Sequence, residues 1–219
     1  LVAANQQTSG RGRNQRRWIT RPDQALAFSI IFKPIRENLA GIAFYSPMCA
    51  LAVSGVLEKL GLRPQIKWPN DVLLDRKKIS GILVESSWHG EKIEAVICGI
   101  GINIASDSLN PSDQVLFPAS SIEQELGRAV DRWEVLKDVV QGLFHWREKV
   151  GTKEFLQAWE NRLAFRGEWV RIEQQGQNAL IGKVDGIDPD SGSLRLVTVS
   201  GRIEFIEAGD VHLRPATNE

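Results

Sequence analysis

Apolar residues recur along this chain in two rhythms. In the first half, short runs in which apolar residues crowd or alternate predict strands near Leu1–Asn5, Leu26–Lys33, Gln65–Trp68, Val72–Leu74, Ile79–Ser87 and Lys92–Ile104. Between the second and third of these, Leu39 to Leu57 carries no charge at all and approaches the length of a membrane helix. Ser46, Pro47, Ser54 and Gly55 interrupt it, and it runs on into VLEKLG with Val56, Leu57 and Leu60 at helical spacing, so a buried core helix over Phe44–Leu60 is expected. That helix starts either with Ser46 as its cap and Pro47 as its first residue, or earlier with a kink at the proline. Residues 105–120, rich in Ser, Asp, Asn and Pro, predict a long surface loop. Helices follow over Asp131–Val150, where Trp133, Leu136, Val139, Val140, Leu143, Phe144 and Trp146 recur mostly at three and four, and around Phe155, Leu156, Trp159 and Leu163.

After Phe165 the rhythm shortens to GEWVRIEQQ, ALIGKVDGID, SLRLVTV, RIEFIEA and DVHLRP, separated by Gly, Asp-Pro and Ser-Gly turns. Five short strands predict a small SH3-like β-barrel over residues 166–219, behind an α+β domain over 1–165 in which helices pack on a mixed sheet. Such a module carries no chemistry by itself.

The 219 residues are 42% hydrophobic and 25% charged, the profile of a folded globular chain. Lys plus Arg and Asp plus Glu number 27 each, which argues against a whole surface made for nucleic acid or anionic lipid. Any electrostatic function is therefore local. Cys49 and Cys98 sit in apolar stretches and read as buried free thiols of a reducing cytosol. With no secretory signal at Leu1–Ser9, a cytoplasmic location away from membranes is expected.

One local charge concentration lies in SGRGRNQRRW: Leu1 to Pro22 holds Arg11, Arg13, Arg16, Arg17 and Arg21 and no acid. Glycines let backbone approach a ligand, guanidinium groups grip phosphate or carboxylate oxygens, and Trp18 offers a flat face for a base. A solvated basic loop or an RNA-touching arm fits the same letters. Dinucleotide and P-loop motifs fail: Gln15 and Ile104 stand where a third glycine is required, and the run Gly176–Lys183 is one residue too long and is followed by Val184. The second candidate is KWPNDVLLDRKKISGILVES, a hairpin punctuated by Lys67, Asn70, Asp71 and Lys78, with DRKK as its turn and Lys77 as a solvated neighbour of Lys78. Gly81, Gly99 and Gly101 mark close approaches within apolar strands, and Asn103 is a polar residue needing a partner. His89, His145 and His212 show no metal-ligand spacing, so no metal site is assigned, and no covalent nucleophile is indicated.

QTSGRGRNQRRW, then KWPNDVLLDRKKISGILVE, then GIGINI, followed by a small β module, closely resembles the bacterial biotin protein ligases over nearly the whole chain. The resemblance implies formation of biotinyl-5′-adenylate from biotin and ATP, then transfer of the biotinyl group to a lysine of a carrier, usually the biotin carboxyl carrier protein of acetyl-CoA carboxylase. It implies that Gln7, Gly10 and Arg11 line the biotin side, that Arg13, Arg16 and Asn70 hold the adenylate, and that Trp18 faces adenine. Lys78 matches the lysine that contacts the biotin carboxylate and the α-phosphate. Asp71 matches the aspartate that orients or deprotonates the acceptor lysine. Gly81, Gly99 and Gly101 would admit the biotin rings, and Asn103 would approach the nucleotide. Mg2+ is expected with ATP, without an assigned ligand. The family places a Ser-Thr-Asn segment and a helix ahead of the strand that begins here at Leu1, so an N-terminally incomplete catalytic domain is expected, and without a winged helix no DNA binding. Two other readings stand beside this one: a related lipoate or octanoate transfer enzyme, and a nucleic-acid-binding module using the arginine-rich arm.

Overall fold

The computed structural model describes residues 1–13, 16–34, 39–108, 118–174, 178–207 and 211–215. In chain order come β1 (Val2–Ala4), a two-rung hairpin of β2 (Gly10–Arg11) and β3 (Arg17–Trp18), β4 (Ala25–Phe32), α1 (Leu39–Ile42) and α2 (Tyr45–Lys59). Next are β5 (Gln65–Lys67), β6 (Asp71–Leu74), β7 (Lys77–His89), β8 (Lys92–Asn103) and α3 (Ile122–Leu126). Then α4 (Arg132–Lys149), α5 (Lys153–Asn161), β9 (Trp169–Gln174), β10 (Leu180–Ile187), β11 (Leu194–Thr198), β12 (Ile203–Ile206) and β13 (Val211–Pro215) complete the order. Of the expected loop over 105–120, residues 109–117 lie outside those described, as do Asn14, Gln15 and Gly176.

The first sheet has six strands in the order β1-β4-β8-β7-β6-β5, and every strand pairing described in it is antiparallel, so the expected mixed sheet is corrected to an antiparallel one. Strand alternation sends Val96, Cys98, Ile100 and Ile102 of β8 to the face that α2 covers, and all four are buried. On α2, Met48, Cys49, Leu51, Ala52, Val53, Val56 and Leu57 are buried, and α4 packs on that helix. The uncharged stretch is thus a core helix, and among the described residues no helix is long and apolar enough to cross a membrane. It begins at Tyr45 with Phe44 at its cap, earlier than a Ser46 cap implies. Pro47 fits in the first turn because an amide there needs no helical partner. The Ser46 hydroxyl instead donates to the Pro69 carbonyl at 2.7 Å. Cys49 and Cys98 are free and buried, and burial pushes the Cys49 thiol up, with Cys98 beside it adding to the shift.

The five C-terminal strands form as expected, but they do not close. Their sheet runs β12-β11-β10-β9-β13, with β12 paired only to β11 and β13 only to β9 among the described residues, so the expectation of an SH3-like barrel is corrected to an open antiparallel sheet. The physical reason lies in what covers the inner face. Val170, Ile172, Val184, Leu194, Leu196 and Leu213 join one buried cluster with Phe155, Trp159, Leu163 and Phe165. An apolar face covered by a neighbouring layer has no need to curl onto itself. Polar ties cross the same boundary: Trp68 Nε1 donates to the Gly192 carbonyl at 3.1 Å, and Arg76 pairs with Glu168 at 2.7 Å.

Candidate active site

Each residue of Lys67–Asp71 has a distinct structural task at the turn from β5 to β6. Trp68 is buried and reaches the connection between β10 and β11, Pro69 accepts from Ser46, and Asn70 stitches the turn to β7. Asn70 Nδ2 donates to the Ile82 carbonyl at 2.8 Å, while the Ile82 amide donates to the Asn70 carbonyl at 2.9 Å. This fixes Asp71 as the first residue of β6, directly opposite Gly81 of β7.

A register shift then decides which side chain Asp71 meets. β6 and β7 are joined by Asp75 and Arg76, both at positive φ (45° and 62°), as a two-residue type I′ turn requires. From that turn Leu74 faces Lys77 and Leu73 faces Lys78, but Val72 faces Ser80, leaving Ile79 as an extra residue. Residues opposite one another share a face, so this bulge brings Lys78 to the face of Asp71 and Gly81. Without it, Lys78 would point with Ser80 to the other side. Lys78 Nζ stands 2.6 Å from Asp71 Oδ1, and Lys67 Nζ stands 3.5 Å from Asp71 Oδ2. Burial alone would raise the Asp71 carboxyl, but the ammonium groups of Lys78 and Lys67 hold it below its ordinary value. Burial pulls the Lys67 ammonium down, with Asp71 opposing.

Above this array lies the arginine hairpin. Gly10 faces Trp18 and Arg11 faces Arg17, and a Cβ at Gly10 would stand 2.2 Å from the Trp18 carbonyl oxygen. Such an approach requires glycine. The Trp18 ring lies on the sheet where Gly81 and Gly101 face each other: a Cβ at Gly101 would come within 2.3 Å of the indole, and one at Gly81 within 3.2 Å. Lys78 Nζ is 5.7 Å from the ring centre, within cation–π range. Trp18 Nε1 is buried without a hydrogen-bond partner among the described residues, an N–H aimed into an otherwise apolar floor. Arg13 Nη1 donates to Asn70 Oδ1 at 3.4 Å, and Arg11 pairs with Glu85 at 3.2 Å.

The structure therefore brings together Arg13, Trp18, Asn70, Asp71, Lys78, Gly81 and Gly101. Asn103 adjoins them from below: its buried amide donates to the carbonyls of Ser120 (3.0 Å) and Lys78 (3.4 Å). Others stand at the margin. Gln7 is tied through its backbone amide to Thr20, Arg11 is exposed at Glu85, and Gly99 has room for a Cβ at ordinary contact distance from Leu83 and Ser29. Arg16 is exposed, and its charge reaches Lys67. Lys67, which punctuates the hairpin in the sequence but carries no expected role there, joins the site as the second ammonium on Asp71; its position four before Asp71, in a strand end bounded by buried Ile66 and Trp68, is the signal for it. Among the described residues no cluster of three or more His, Cys, Asp or Glu could hold a metal. Asp71 is already engaged by two lysines, so these residues do not fit a protein-held Mg2+.

A cationic hairpin over an apolar floor, with an ammonium–carboxylate–ammonium array at its edge, suits an enzyme that handles a carboxylic acid together with a phosphate. Residues 1–103 match the family model described as the biotin/lipoate A/B protein ligase family. The biotin acetyl-CoA-carboxylase ligase of Paracoccus denitrificans is 35% identical over 96% of this chain and 88% of its own length. The bifunctional ligase/repressor BirA of Bacillus subtilis is 32% identical over 97% of this chain, which spans 66% of that protein. Among solved structures, the biotin protein ligase of Aquifex aeolicus in complex with biotin and ATP superposes with a TM-score of 0.84 at 31% identity, covering 98% of this chain and 88% of the other. The chain belongs to the biotin protein ligases of the biotin/lipoate A/B protein ligase family.

Proposed function

We propose that this chain is an ATP-dependent biotin protein ligase in which Lys78 and Asp71 serve two successive half-reactions. In the first, a biotin carboxylate oxygen bonds to the α-phosphorus of ATP, the bond to the bridging oxygen breaks, and pyrophosphate leaves. Two anions must approach each other, and the Lys78 ammonium at the floor's edge offsets their repulsion and the charge that builds in the transition state. In the second, a carrier lysine amine attacks the acyl carbon, an amide forms, AMP leaves, and the amine loses a proton. Asp71 is the acceptor for that proton. Paired with Lys78 it is a weak base; once Lys78 engages the adenylate phosphate, Asp71 keeps only the longer contact to Lys67 and its basicity rises.

Gly81, Gly101 and Gly99 form the floor for the biotin rings, with Gln7, Gly10 and Arg11 on the same side. Arg13, Arg16, Asn70 and Asn103 border the nucleotide. Trp18 leaves the Gly81–Gly101 floor as biotin enters and turns its face to adenine, closing a site from which water must be excluded if the acyl adenylate is to survive. Residues 1–165 carry this chemistry and 166–219 form the companion unit. The acceptor is the biotin carboxyl carrier protein of acetyl-CoA carboxylase, a reading supported by the name of the Paracoccus relative. Mg2+ comes with ATP. The buried thiols Cys49 and Cys98 support a cytoplasmic setting.

The observation that carries this reading is the Lys67–Asp71–Lys78 array beside the glycine floor under Trp18. Mixing the protein with biotin, ATP and Mg2+ should release pyrophosphate and give biotinyl-adenylate by mass. Pyrophosphate release without biotin dependence, or equal turnover of octanoate, would overturn it.

A further inference from the structure

The β7–β8 ladder begins at Ser80 opposite Ile102, so Lys78 lies beyond the end of β8 and needs another neighbour on that edge. The returning chain supplies it. The Lys78 amide donates to the Pro118 carbonyl at 2.8 Å and the Ser120 amide donates to the Lys78 carbonyl at 3.0 Å, a parallel bridge centred on Ala119. Asn103 closes the gap from the end of β8 by donating to Ser120 and Lys78. An isolated bridge has no further strand behind it, so its place depends on what holds Ser120. Ser120 is fully buried and its hydroxyl donates to the Glu125 carboxylate. The same carboxylate oxygen takes Lys77 Nζ at 3.0 Å, from the residue next to Lys78. Glu125 projects from α3, whose first turn is capped by the Ser121 side chain. Lys77, which the sequence presents as merely solvated, thus belongs to the clamp.

We infer that Glu125 is a positioning residue for Lys78: it holds Ser120 across the bridge and Lys77 along the strand, and so fixes the backbone from which the ammonium reaches Asp71. The inference rests on the reading of Lys78 as the ammonium of adenylation. Glu125 has no hydrogen bond or ion pair to the floor, hairpin or Asp71 groups among the described residues, and Ser120 holds Asn103 through its backbone carbonyl and not its hydroxyl, so the effect of Glu125 on rate should pass through Lys78.

The test is a double-mutant cycle on biotinyl-adenylate formation with wild type, Glu125→Ala, Lys78→Ala and the double variant, with thermal melting recorded for each. Glu125→Ala should lower kcat about tenfold while leaving KM for ATP within about twofold, as for a catalytic group displaced without a lost ligand contact. Glu125→Gln, which keeps an oxygen for Ser120, should recover most of the rate. In the Lys78→Ala background the Glu125 change should have no further effect, because the group it positions is gone. An equal drop in both backgrounds, or full activity of Glu125→Ala, overturns the inference. Full activity of Lys78→Ala overturns instead the reading on which it rests. If Glu125→Ala fails to fold, Ser120→Ala, which removes one hydroxyl, runs the same cycle with the same two overturning outcomes.

Discussion

Two parts of the molecule meet over Gly81 and Gly101, and they are held by different means. The Lys78 corner is built into the sheet: β6 on one edge, the Pro118–Ser120 bridge on the other, ion pairs to Asp71 beside it and to Glu125 from Lys77 next door. The arginine hairpin has two ladder pairs of its own and rests on the floor through the Trp18 ring, with Arg13 on Asn70 and Arg11 on Glu85 as side-chain ties. A corner fixed by backbone on both sides presents one charge at one place, which is what stabilisation of a transition state demands. A hairpin whose described ties to the sheet run through a ring and guanidinium side chains can exchange those contacts for contacts to a ligand. The corner should therefore govern rate, and the hairpin should govern binding.

The strongest way to break this contrast is to crowd the shared floor. In Gly101→Ala the new methyl would stand 2.3 Å from the indole, and the hairpin, with less holding it, should give way before the sheet does. Titration calorimetry should then show biotin binding weakened by about 1–3 kcal/mol, with the melting temperature little changed. Unaltered biotin binding would mean that the rings do not lie on this floor. A smaller effect sharpens the corner alone. Because the Asp71 carboxyl lies below its ordinary value in the folded protein, its contribution to stability is present above the unfolded value and is lost as pH falls through the folded one. The stability gap between wild type and Asp71→Asn, measured in urea, should be flat above about pH 5 and narrow below about pH 4. A gap that widens on acidification would contradict the ion-paired carboxylate.

Local pattern made much of this legible. Alternation and helical spacing marked the six strands of the first sheet, α2, α4, α5 and the strands of the second sheet, because each buries a face or stripe whose period is written in consecutive residues. KWPND, Lys78 and the glycines stood out as polar or small interruptions of apolar strands. What remained hidden depends on registry between distant segments. Strict alternation along β7 puts Lys78 with Ser80, and only the bulge at Ile79 turns it to Asp71. The bridge of Ala119 to Lys78 joins residues 41 apart that share no periodicity. Closure of the second sheet was expected from strand number, yet it depends on whether the edges β12 and β13 meet, which no strand's own sequence states. α3 spans only Ile122–Leu126, too short for a periodic signal, although its Ser121 cap and Gly127 stop are ordinary helix punctuation.

The division between rate and binding is tested most directly by measuring biotinyl-adenylate formation at saturating biotin and ATP for Lys78→Ala and Trp18→Ala side by side. Lys78→Ala should lose at least about a hundredfold in rate that no ligand concentration restores, the scale of one preorganised electrostatic donor. Trp18→Ala should weaken ATP binding by about 1–3 kcal/mol and yet regain close to the wild-type rate at saturation. A near-normal rate for Lys78→Ala, or a loss at saturation in Trp18→Ala as deep as that in Lys78→Ala, would contradict it.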